Sequence, residues 1–171
     1  MHSVLKYSII VAWLILSCSP AFAENASIAI LDFELKDLTL KPRTQEEMDR
    51  TASIKPSLQE ILRNRWKYRI VVLDPAAQQA ANKGFGYLFE HSDVAARLGR
   101  DVGAEWVVVG RVHKASFLFV YLFARLVSAQ TGELVEEFIV EVKGPPEKVT
   151  GKGVARLARQ IASTIRQHNK R

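Results

Sequence analysis

The four residues Trp106-Val107-Val108-Val109 leave no polar face on any strand they form. Successive strand residues point to opposite sides of a sheet, so such a run must be covered on both. A helix stop stands just before it. In the segment LGRDVGAEWVVVGRVHK, Gly103 follows an amphipathic stretch marked by Val94, Leu98 and Val102, and glycine is the usual residue where the backbone turns left-handed past a helix end. The order is therefore helix, glycine, buried strand. Phosphate-cradling loops need the reverse, a strand, then glycines, then a helix. The glycines here are read as structural, and the strand they introduce calls for a sheet with layers on both faces.

Other segments fit that frame. ASIAILDFEL reads as a first strand, with Ile28, Ile30 and Phe33 in a mostly apolar run, and KYRIVVLD as a second. After a tight turn at 114–116, FLFVYLFARLV is apolar on both faces. SAQTG then turns the chain into ELVEEFIVEV, where Leu134, Phe138, Val140 and Val142 alternate with Glu137 and Glu141, one wet face suiting an edge. Thr44 and Glu47 have capping-box spacing. Leu58, Ile61 and Leu62 share a helical face between Ser57 and Asn64, and Pro56 is expected to prevent one smooth helix reaching Trp66. Asp74 before Pro75 caps a short alanine-rich helix, KGFGYLFEHSD reads as a loop, and Ser92 as the cap of the next helix. A closing helix, Thr150 to His168, sets Val154, Leu157, Ile161 and Ile165 inward. Three strands joined by helical crossovers, an antiparallel meander and a final helix define an α/β fold. It is a three-layer sandwich with a mixed, mostly five-stranded sheet and a C-terminal helix, in strand order 2-1-3-4-5.

The chain opens with Lys6, an apolar run from Tyr7 to Leu16, Pro20 and Ala21-Phe22-Ala23. This layout predicts a secretory signal over 1–23 and a single α/β domain over 24–171, with Cys18 raising a lipoprotein alternative. Cleavage after Ala23 removes the sole cysteine, and with it any disulfide, thiolate metal site or cysteine nucleophile. From Thr150 onward there are six basic residues and no acid, whereas the whole chain carries +6. The basic character thus belongs to the last helix. Arg156, Arg159, Arg166 and Lys170 line its outward face, and they are the candidate surface for an envelope protein or an anionic envelope surface.

Catalytic patterns are missing. His91, His113 and His168 share no metal-ligand spacing, no nucleophile elbow occurs, and Gly84-Phe85-Gly86 begins a dinucleotide pattern that Phe89 ends. No cofactor is implied, and a non-enzymatic module is expected. Asp32 and Asp74 follow strands at the rim where open α/β sheets bind ligands, with Arg111 and Lys114 toward the same end of the third strand. These four residues are the candidate ligand site, the alternative reading being a small-ligand sensor. Helix capping by Asp74 and backbone hydrogen bonding by Asp32 are their structural readings.

Asp32-Phe33, Leu98-Gly99 with Gly103-Ala104-Glu105, Val107 to Gly110, and Thr131-Gly132 together resemble a family of small secreted bacterial proteins described only as a domain of unknown function. That family is similar to the amino-terminal domain of TolB and related envelope-assembly modules. Where members carry a cysteine pair this chain has FEHSD, and GPPEKV replaces a tryptophan-containing segment. The resemblance implies the fold and an accessory role in the envelope, with no catalytic residues.

Overall fold

The computed structural model describes residues 26–39, 42–116, 119–143 and 146–170, by backbone alone at 143 and 146–150. The signal-peptide reading, the Ala21–Ala23 site and Cys18 lie outside the described residues. The elements are β1 (Ser27–Ile30), β2 (Glu34–Asp37), α1 (Gln45–Trp66), β3 (Arg69–Val71), α2 (Pro75–Ala81), α3 (Tyr87–Glu90), α4 (Ser92–Asp101), β4 (Trp106–Lys114), β5 (Phe119–Ser128), β6 (Leu134–Lys143) and α5 (Pro146–His168).

The sheet runs β3-β1-β4-β5-β6, with β2 also paired to β4. The three parallel strands place the first between the second and third, and the meander follows antiparallel, as the crossover rule predicts. One expected strand is two. Its pairing with β4 passes from Ile30↔Val108 to Glu34↔Arg111, so the first strand spends one residue more than its partner. Phe33 sits in this interruption and lays its ring on Gly110, where a Cβ would come within 2.1 Å of Phe33 Cε1. Gly110 therefore marks a close side-chain approach.

Alternate residues of β4 feed two cores. Trp106, Val108 and Val112 face α1 and α5, joining Ile54, Leu58, Leu157, Ile161 and Ile165. Val107 and Val109 face α3 and α4, joining Leu88, Phe89, Ala95 and Leu98. Covering a strand on both sides removes each of these side chains from water and contributes about 1.5–3 kcal/mol per large aliphatic group. Gly103 has φ +72° and ends α4 as expected. β6 is the edge, and a bulge between Leu126 and Val127 gives Val135 the inward place expected of Leu134, which is exposed.

Three local expectations are corrected, the first being the loop KGFGYLFEHSD, in which Tyr87–Glu90 form the short helix α3. α1 continues through Pro56. The helix buries Thr51, Ile54, Leu58 and Leu62, while Pro56 and Ala52, whose carbonyl loses its helical donor, both lie on the exposed side. Water can serve that carbonyl, and packing of the other face holds the helix together. Ser92 is already the first residue of α4 and its hydroxyl donates to Gly132 O at 3.0 Å, so it ties the helix to the β5–β6 turn and does not cap it.

Candidate functional site

The rim residues expected to share a site are spread over both faces of the sheet. Asp32 is held by Lys55 Nζ of α1 at 3.0 Å. Its own backbone N–H and carbonyl are engaged by the amide side chain of Gln78. Asp74 accepts from the backbone N–H of Ala76 at 2.9 Å and caps α2. Lys114 points toward α1, where its ammonium donates to Asp37 at 3.1 Å and, in a short contact, to Glu47. Burial raises the Asp37 carboxyl, but hydrogen bonds from Thr39 and the ammonium of Lys114 outweigh it and hold the group below its ordinary range. The Lys114 hydrogen bond and the Thr44 backbone N–H lower Glu47 as well. Burial disfavours the Lys114 charge, and the two carboxylates reverse that and raise its pKa. This triad fastens β2, β4 and the start of α1.

Arg111 alone of the four opens onto a cleft. The cleft, of about 440 Å³, is lined by Lys36, Lys83, Phe85, Tyr87, His91 and Arg111, with Gly84, Gly86 and Glu90 completing it. It lies beyond the end of β1, beside the strand where the crossovers change sides, the usual ligand position in open α/β sheets. The loop between α2 and α3 is fixed to β2. Glu34 accepts from the Gly86 N–H at 2.8 Å and from the Asn82 side chain at 3.2 Å, while Asn82 accepts from the Gly84 N–H. Gly86 has φ +80°, a conformation that favours glycine, and a Cβ there would stand 2.8 Å from Arg111 Nη2 and displace the guanidinium.

The guanidinium of Arg111 stands over the ring of Phe89 at 4.3 Å and near that of Phe85 at 5.4 Å. Its nearest carboxylate is Glu90, 3.7 Å away, beyond hydrogen-bond length, and Glu90 also serves Arg125 at 3.2 Å. The buried Nε of Arg111 has no hydrogen-bond partner among the described residues. His113, one residue pair along β4, is held below the ordinary histidine range by burial first, then by the charges of Lys36 and Arg111. Sequence reasoning found Arg111 and missed Lys36, Lys83, Phe85, Tyr87 and His91. The signal was Gly84-Phe85-Gly86, which marks a tight loop against the sheet.

On the other side of the sheet, Arg156, Arg159 and Arg166 lie exposed on α5, and Lys170 lies exposed in the turn that follows it. Val154, Leu157, Ile161 and Ile165 are fully buried beneath them. Among the described residues no three histidine, cysteine or acidic side chains group to hold a metal, and no helix is long and apolar enough to cross a membrane.

These features define a small α/β sandwich with a mixed sheet, a cationic cleft at the strand ends and a basic outer helix. The chain belongs to the family described as protein of unknown function (DUF2380), whose model, DUF3280, matches residues 26–161. Among curated proteins there is no match. Solved structures share the fold at low identity. Protein XCC0632 from Xanthomonas campestris is 10% identical with TM-score 0.57, over 90% of this chain and 93% of that one. Lipoprotein GNA1162 from Neisseria meningitidis is 15% identical with TM-score 0.52, over 81% and 99%. The LpoB C-terminal domain from Salmonella enterica is 19% identical with TM-score 0.50, over 71% and 84%. They establish the architecture, and architecture alone assigns no activity.

Proposed function

We propose that the chain is an exported, non-enzymatic accessory module of the cell envelope that binds the acidic face of another envelope protein through α5. One observation carries the reading. Arg156, Arg159 and Arg166 follow one another at intervals of three and seven residues, so they form a single stripe along the helix, and Lys170 extends it in the turn just past the helix end. All four are exposed, and none forms a salt bridge with a described residue. A row of unneutralised cations on a rigid helix attracts acidic surfaces and speeds encounter with them.

The secretory-type leader, the lack of a catalytic spacing and the fold shared with a lipoprotein support an envelope location and a binding role. Kinship with the TolB amino-terminal domain and release as a single domain after Ala23, with no lipid on Cys18, belong to the same reading. The test is replacement of all four cations by glutamine. Because their side chains lie outside the packed stripe, the melting temperature is expected to stay nearly unchanged. Low-salt crosslinking to envelope proteins is expected to fall. Crosslinking unaltered by the change refutes the reading, and loss of binding to anionic polymer alone replaces the protein partner with a polyanionic surface.

A further inference from the structure

The cleft at Arg111 is separate from the α5 stripe, lying on the opposite face of the sheet, and it has the composition of an anion seat. We propose that it binds a phosphate monoester, the phosphate resting against Arg111 between Lys36 and Lys83 and the organic body against Phe85. The charge count favours a dianion. Three cations line the cleft against the single carboxylate of Glu90, which is shared with Arg125. A carboxylate ligand leaves this excess partly unmet, and a phosphate near neutral pH matches it.

The state of Arg111 favours an anionic ligand. The Nε of Arg111 is buried and without a hydrogen-bond partner, a costly arrangement for a charged donor. Among the described residues its carboxylate neighbour is Glu90, at 3.7 Å. His113 beside Arg111 is held below its ordinary range by burial first, then by the charges of Lys36 and Arg111, which agrees with the cationic lining. The walls are also prepared in advance. Glu34 and Asn82 hold the glycine loop in place, and the ring of Phe89 sets the guanidinium plane, so little order has to be lost on binding. Phe85 is more than half exposed at the mouth, an apolar shelf beside the Arg111 guanidinium. Lys83 stands over the Tyr87 ring at 5.3 Å, within reach of the same space.

The test uses the protein purified after export, at low ionic strength, with phenyl phosphate, inorganic phosphate and benzoate as probes. Two-dimensional NMR follows the Arg111 side chain and the titration of the His113 ring. The charged groups around that ring are Lys36 and Arg111, with Tyr121 opposite on β5 and Glu141 one strand further. Phenyl phosphate is expected to saturate, to shift the Arg111 resonances and to move the His113 titration upward, because a bound dianion offsets the two cations. Benzoate is expected to bind at least about fivefold more weakly, and Lys83→Gln to weaken phenyl phosphate by roughly fivefold, the upper range for one solvent-exposed charge pair. Lys83 is exposed, so this variant folds even if Arg111→Gln does not. Absence of a saturable shift, equal binding of benzoate, or an unmoved His113 titration overturns the proposal. Each result stands whether or not the α5 variant keeps its crosslinks.

Discussion

The ammonium of Lys114 donates to the carboxylate of Glu47, and the other oxygen of that carboxylate accepts the backbone N–H of Thr44 that opens α1. A residue near the end of β4 thus completes the cap of a helix 67 positions earlier. Asp37 of β2, itself almost fully buried, supplies the second carboxylate.

Removing the cation from this arrangement leaves two carboxylates facing each other in a poorly hydrated place. Lys114→Met is expected to destabilise the fold by about 3–5 kcal/mol, the usual cost of breaking a buried pair from one side. Urea unfolding measures it. A loss below about 1 kcal/mol shows the triad to be solvated in practice.

Acid should act on the same groups. Asp37 and Glu47 are both held below their ordinary values in the folded chain, so their contribution is complete above the unfolded carboxylate range and disappears as pH falls through the folded values. Lys114 is shifted up, so its contribution is complete below the unfolded lysine value and is lost only as pH rises through the folded one. The stability gap between the native chain and Lys114→Met should therefore be widest near neutrality. It should narrow in acid, where the two mutually repelling carboxylates of the folded variant take up protons before the Lys114-paired ones of the native chain do. Unfolding curves across that range decide it, and a gap that widens in acid contradicts the assignment.

Pro56 offers a gain of stability. It interrupts the hydrogen-bond ladder of α1 on the exposed side without serving the core. Pro56→Ala restores a backbone donor for Ala52 and is expected to stabilise by about 1–3 kcal/mol, part of the helix-interior penalty being returned through a freer unfolded chain. Thermal unfolding reads the change directly. A lower melting temperature would mean that the proline sets a bend the α1–α5 packing uses.

The pattern of apolar residues carried the architecture. Ile28, Val107 and Val108 demanded cover on both faces, Gly103 ended a helix, and Glu137 and Glu141 marked an edge, so strand order followed from chain direction and handedness. Pro56 misled because sequence shows the missing N–H but not which side of the helix meets water. Ser92 misled because its partner, the Gly132 carbonyl, lies 40 residues away. The site was less legible. Arg111 and Lys114 are three apart on one strand, and alternation alone sends them to opposite faces, so the strand period already argued against a shared rim. Asp32 found Lys55 and Asp74 found its helix, both through folding. The cleft itself needed a loop from 82 to 86 to meet β2 and β4, a meeting that no local spacing encodes.

β1 has β3 along one side and β4 along the other. A ribosome delivers the first of these neighbours soon after β1 and the second only after α2, α3 and α4 have also been made. Through that interval the nascent chain carries a two-stranded ribbon whose open border, Ile28 to Ile30, is apolar on both faces and lacks its hydrogen-bonding partner. Such a border is a template for pairing with other chains. A chain cut short of Trp106 therefore keeps the β1 border open to strands from its neighbours, and closure of that border waits on Trp106 to Val108.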